Sequence, residues 1–244
     1  MKIAVFGALG HMGREVCTAL EKGYGGHTLA AKIDAFGDKD VVSSLSACTV
    51  EADAVVDFSH HSAVTALLDD ARAKKLPVVI ATTGHTEAEQ AAIEGAAKEI
   101  PVFYAANMSV GVALLVKLAK EAARAMPDAD IEIIEKHHNR KLDAPSGTAL
   151  MIANALKEVR EETQFVFGRG GQAKREKSEI GIHAVRMGNV VGEHEVILCT
   201  DSQTITLTHQ AHSRALFAEG ALVAADFIAK QKPGLYSMKD MLGE

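Results

Sequence analysis

Five short apolar runs fall within the first hundred or so residues, at 2–6, 29–33, 54–58, 77–81 and 101–104. Segments at 11–21, 62–75 and 86–99 carry apolar residues at helical spacing between them. Strands separated by helices pair side by side through crossovers, so this rhythm predicts βαβ units and a parallel sheet covered on both faces. After Asn107 the rhythm changes. A helix is predicted over 110–125, a half-solvated strand with alternating polar and apolar residues over 130–135, and a second helix over 146–160. Residues 168–178 are Gly-rich, basic and poor in apolar side chains, which predicts a mobile loop. Three β-rich runs follow at 181–187, 190–199 and 203–209, with Gly188-Asn189 and Asp201-Ser202 predicting antiparallel hairpins, before a last helix over 214–230. The fold class expected is α/β, with an α+β unit carrying a mixed or antiparallel sheet.

The chain has 244 residues, 48% of them apolar and 24% charged, which suits a globular protein able to bury a core without disulfide or metal support. Its net charge of −6 argues against a nucleic-acid or membrane surface, so any basic site must be local. Three scattered cysteines without a CxxC pair read as buried or incidental thiols of a reducing compartment, the cytoplasm. Residues 10–15 interrupt the N-terminal apolar run before a signal peptide could form, and no run has the length of a membrane span.

Between the first strand and the first helix stands Gly7-Ala8-Leu9-Gly10-His11-Met12-Gly13, a GxxGxxG turn. Glycine allows the sharp turn and lets a pyrophosphate approach the N–H groups and positive dipole of the helix start. Asp34 ends the second strand, where a carboxylate accepts hydrogen bonds from ribose hydroxyls; Ala35 after it, rather than a basic residue, favours NADH over NADPH. Lys32, His11 and Lys39 keep dual use of the two nucleotides open. Thr82-Thr83-Gly84 and Ala105-Ala106-Asn107-Met108-Ser109 follow later strands, where ligands of open α/β sheets bind; Thr83 and Ser109 read equally as helix N-caps.

Residues 135–150, EKHHNRKLDAPSGTAL, concentrate positive charge immediately before a helix start at Ser146 or Thr148. Hydroxyls and N–H groups there make an anion site, and a small dicarboxylate fits it. His137 or His138 suits proton transfer near neutrality, while Lys141 suits a carboxylate or, with its pKa lowered by neighbouring cations, a second proton donor. Adjacent histidines on a strand point to opposite faces, so at most one of the two enters a given site unless the backbone turns there. No metal is expected, because the local charge is positive and no Cys or helical HxxxH partner lies nearby.

The run from Glu135 to Ala149, together with Gly7–Gly13, Asp57-Phe58-Ser59, Thr82-Thr83-Gly84, Asn107–Val112, His209–Arg214 and Pro233–Met238, resembles the 4-hydroxy-tetrahydrodipicolinate reductase family in order along the chain. That resemblance implies His137 as proton donor and acceptor and Lys141 as a second proton donor. It implies that His138, Ser146, Gly147 and Thr148 hold substrate carboxylates, and that Gly7 to Met12, Asp34, Thr82 to Gly84 and Ala105 to Met108 line NADH or NADPH. It further implies a Rossmann-like domain over 1–107 and 214–244, a substrate and tetramerisation domain over 108–213, and a homotetramer. Two rivals remain: a semialdehyde or other small-carboxylate dehydrogenase, which lacks its Cys nucleophile here, and an NADH-reading regulator, which lacks a recognition helix.

Overall fold

The computed structural model describes residues 1–37 and 39–244. The first stretch runs β1 (Lys2–Phe6), α1 (His11–Glu21), β2 (Thr28–Ile33), β3 (Val41–Val42), β4 (Ala54–Asp57), α2 (Val64–Lys74), β5 (Val78–Ile80), α3 (Glu87–Ala96) and β6 (Pro101–Tyr104). Then come α4 (Val110–Ala125), β7 (Asp130–His137), α5 (Gly147–Lys157), β8 (Gln164–Phe167), β9 (Glu179–Arg186), β10 (Gly192–Cys199) and β11 (Thr204–Ala211). The chain closes with α6 (Ala215–Ile228), β12 (Gly234–Tyr236) and α7 (Met238–Met241).

These elements form two compact units, Met1–Ser109 with Arg214–Glu244, and Val110–Ser213. In the first unit seven strands pair in the order β12-β6-β5-β4-β1-β2-β3, and every pairing is parallel. Val55, Val56, Val78, Val79 and Ile80 are fully buried, as strands covered on both faces require. Helix α1 packs on α6, and α2 on α3. Among the described residues no helix is long and apolar enough to cross a membrane.

In the second unit the order is β11-β10-β7-β9-β8, with β10 antiparallel to β11 and β7, and β9 parallel to β7 and β8. The sheet is therefore mixed. The hairpin predicted at Asp201-Ser202 forms, but the one predicted at Gly188-Asn189 does not, because β9 pairs with β7 instead of β10. Gly188 serves the basic run: its carbonyl accepts the Asn139 N–H at 3.2 Å, while the Asn189 side chain accepts from Arg140 at 2.6 Å. Strand β7 alternates strictly, with Ile131, Ile133, Glu135 and His137 buried. Ile131 and Ile133 join a core with Leu115 and Ala119 of α4 and Ile152 and Leu156 of α5.

The segment 168–178 is a loop, as expected, and it is fastened to the sheet at several points. The Arg175 guanidinium donates to Glu132 Oε1 at 3.2 Å, Asp130 Oδ1 at 2.6 Å and the Glu179 carbonyl at 2.7 Å, and Lys177 pairs with Asp128 at 2.7 Å. Arg169, Arg175 and Lys177 are thus tied to acids on and just before β7. Glu132 also takes His183 Nε2 at 2.7 Å, so its removal frees several partners at once. Glu132→Ala should therefore speed tryptic cleavage within 168–178 severalfold, measured by limited proteolysis and mass spectrometry of the fragments.

Candidate active site

The glycine turn shows why no side chain fits. Gly7 has φ of +77°, and a Cβ there would lie 2.6 Å from the Phe58 carbonyl oxygen; one on Gly13 would lie 2.0 Å from the Gly7 oxygen. Gly7 and Ala8 donate to the Ile33 carbonyl at 2.9 and 3.1 Å, Leu9 to Asp34 Oδ2 at 3.0 Å, and Gly10 to Gly7 at 3.1 Å. The turn thus consumes its own N–H groups. The first turn of α1 begins at His11, and Gly10 supplies no side-chain cap, so the N–H groups of His11 and Met12 are the ones positioned for an anion. By contrast, α3 is closed by a capping box in which Thr86 and Glu89 bond each other's backbone. Thr86, not Thr83, is therefore the cap, and Thr82–Gly84 stay a loop in which Thr82 is buried and Gly84 has φ of +84°.

Gly7, Leu9, Gly10, Asp34, Ala35 and Ser59 line one groove. Asp34 is bonded through both oxygens, Oδ2 from Leu9 and Oδ1 from Phe36 N–H at 3.2 Å, which fixes the carboxylate at the end of β2. Thr82–Gly84 and Ala105–Met108 do not line that groove; they follow β5 and β6 on the same carboxyl-terminal edge of the sheet. Met108 is 2% exposed and belongs to the core.

In the second unit, the apolar stripe along β7 becomes polar at its end. Glu135 is 0% exposed. Its Oε2 accepts His137 Nδ1 at 2.6 Å and Arg186 at 2.8 Å, and its Oε1 accepts Arg186 at 2.8 Å and the Ser146 N–H at 3.0 Å. Burial pushes this carboxyl up, but the bonds from Arg186, His137 and Ser146 outweigh it and hold Glu135 below the usual carboxylate range. Arg186 also donates to the Asp143 carbonyl at 2.6 Å, fastening the basic loop to β9.

Ser146 caps α5: its Oγ accepts the Ala149 N–H at 3.2 Å and lies 3.0 Å from His194 Nε2. With its N–H on Glu135 as well, Ser146 supports the helix start from behind. A Cβ on Gly147 would meet nothing within 4 Å, so the helix begins facing open space. Lys141 Nζ pairs with Asp143 at 2.8 Å, and His138 is half-buried just beyond β7. Among the described residues no group of three or more His, Cys, Asp or Glu is placed to hold a metal ion.

Sequence reasoning missed Glu135, Arg186 and His194. The signal was present for Glu135, which continues the inward register of Ile131 and Ile133 two residues before His137. Arg186 and His194 required the pairing, opposite His137 and Glu135 respectively. His194 is 4% exposed, its ring 5.2 Å from that of His137, and burial with the nearby His137 pushes its pKa down to about 4. A base whose folded pKa is depressed takes up a proton on unfolding, so stability should fall as pH drops from 6.5 towards 4. The loss attributable to His194 is on the order of 3 kcal/mol. Urea unfolding at pH 7 and pH 4.5 should show it, and His194→Gln should flatten the difference.

Residues 1–108 match the family description "Dihydrodipicolinate reductase, N-terminus" and residues 111–242 "Dihydrodipicolinate reductase, C-terminus". A 4-hydroxy-tetrahydrodipicolinate reductase of Caldanaerobacter subterraneus is 52% identical over 84% of this chain and 82% of its own length. One of Clostridium novyi is 43% identical over 99% and 98%. In fold, the chain is similar to a dipicolinate-bound dihydrodipicolinate reductase from Paenisporosarcina sp. TG-14, with a TM-score of 0.82, 24% identity and 98% of each chain covered. Matched along both halves, the chain belongs to the dihydrodipicolinate reductase family.

Proposed function

We propose that the chain reduces 4-hydroxy-tetrahydrodipicolinate to tetrahydrodipicolinate at the expense of NADH or NADPH, in the diaminopimelate route of lysine biosynthesis. The reaction consumes one hydride and one proton and releases one water. The observation that carries this reading is the coincidence, around Glu135, of a histidine held for proton transfer and a helix start facing open space. Membership of a family whose relatives bear the reductase name supplies the substrate.

The uncapped start of α1 and the glycines that leave no room for a Cβ fit a dinucleotide pyrophosphate. The His11 and Met12 N–H groups would hold it, Gly7, Ala8, Leu9 and Gly10 would line it, Asp34 would take the ribose hydroxyls, and Thr82, Thr83, Gly84, Ala105, Ala106 and Asn107 would form the nicotinamide end, with the buried Met108 behind them. Bound there, the nucleotide supplies the hydride. NADH is favoured: Ala35 follows Asp34, and Lys32 is engaged with Glu21 at 3.0 Å, which leaves less positive charge for a 2′-phosphate.

His137 holds the proton. Because Nδ1 faces a carboxylate oxygen, which only accepts, that nitrogen carries a hydrogen and Nε2 is the exchanging atom. His138, Lys141, Gly147 and Thr148 bind the two carboxylates, with Ser146 fixing the helix start behind them, and Lys141 is a second proton donor. Residues 1–107 with 214–244 serve the nucleotide, and 108–213 serve the substrate and assembly into a cytoplasmic homotetramer.

Freshly prepared substrate should drive oxidation of NADH, and His137→Ala should lower kcat by about 100-fold or more. No turnover by the wild type with either nucleotide would refute the function. Pyridine-2,6-dicarboxylate should compete with substrate, and Lys141→Ala should weaken it about tenfold, the loss of a charge-assisted hydrogen bond. Ala35→Arg should raise the NADPH-to-NADH ratio of kcat/KM about tenfold, read from initial rates with each nucleotide.

A further inference from the structure

We infer that Glu135, backed by Arg186, is the positioning residue of the site, setting the tautomer of His137 and the start of α5 through one buried carboxylate. This rests on the function proposed above and goes beyond the residues assigned there. Glu135 accepts four hydrogen bonds, two from Arg186, one from His137 and one from Ser146, and has no exposed surface. An ionised carboxylate in that setting has few alternatives to these partners, so it fixes the groups that donate to it.

Two consequences follow for the chemistry. The Nδ1–H bond to Glu135 makes Nε2 the atom that gives and regains the proton, whichever charge state the ring holds. The Ser146 bond anchors the first residue of the anion-binding helix start to the same oxygen pair, so proton source and carboxylate clamp keep a constant spacing. Arg186 has a distinct task. Its guanidinium donates to both oxygens of Glu135, and so keeps the carboxylate ionised and turned towards His137.

The charged and titratable groups around His137 come from several elements. Glu135 lies on β7, Arg186 on β9 and His194 on β10; His209 on β11 stands opposite His194, and Lys141 with Asp143 belongs to the loop. A histidine orienter and a mere core fastener are separable, because removing each partner of the Glu135–Arg186 pair changes the charge at His137 in opposite senses. Loss of the carboxylate disfavours the protonated ring, so in Glu135→Gln the alkaline limb of the kcat/KM profile should move to lower pH. Loss of the cation favours it, so in Arg186→Met that limb should move to higher pH.

The test combines these profiles with ¹⁵N NMR of the histidine rings. The wild type should show His137 protonated at Nδ1, and Glu135→Gln should show a shift towards the Nε2–H form with kcat lowered about 100-fold. Displacement of both limbs in the same direction, unmoved limbs, or an unchanged kcat in Glu135→Gln would overturn the inference. So would a neutral wild-type His137 protonated at Nε2, a result that needs no variant to fold. Wild-type enzyme that turns over neither nucleotide while His137 carries its proton at Nδ1 would remove the function and leave the positioning role standing.

Discussion

A carboxylate without solvent survives only if protein donors replace water, and at Glu135 that requirement organises the second unit. Its donors come from β7 itself, from β9 and from the residue that opens α5, so three elements meet at one pair of oxygens. Truncating such a group leaves the guanidinium and imidazole without their acceptor, which is why buried pairs of this kind cost far more to break than they contribute when intact. The neighbouring hydrophobic stripe of Ile131, Ile133, Ile180, Ile182, Val196 and Leu198 stabilises the sheet, and Glu135 and His137 continue its inward register as a polar end.

Helix starts differ in how their free N–H groups are satisfied. The start of α3 is satisfied by its own capping box, and it makes no claim on a ligand. The start of α1 lacks a side-chain cap and carries no acidic residue in its first turn, leaving the positive end of the dipole for an anion. The start of α5 is intermediate, since Ser146 takes one N–H while Gly147 opens onto free space. The same backbone physics thus yields a closed end, an open end and one between them.

Much of this was legible in the sequence. Buried parallel strands announce themselves by valine and isoleucine, so β1, β4, β5 and β6 were found within a residue or two. β3, β8 and β12 were not: all three are edge strands with no fully buried residue, so no run of buried valine or isoleucine marks them. The Gly188-Asn189 turn misled because turn chemistry is local whereas strand partners are chosen by the whole sheet, and β7 offered β9 a parallel edge. Charge misled in the 168–178 loop for a related reason: Arg175 reads as solvated until the acids of β7 are placed beside it. His137 was visible by its residue type, but Arg186 and His194 act across strands, and no linear spacing marks them.

The return of the chain through α6 and β12 has a consequence for the order of folding. Ala218, Ala221, Leu222, Ala225 and Ile228 of α6 are all fully buried in the first unit, and β12 completes its sheet beside β6. The second unit is contiguous, so during synthesis it can close as soon as its last strand emerges. The first unit must wait, with one layer of its core uncovered, until α6 and β12 have been made. Exposed apolar surface in that interval falls on the first unit, whose sheet is complete only once β12 has been added beside β6.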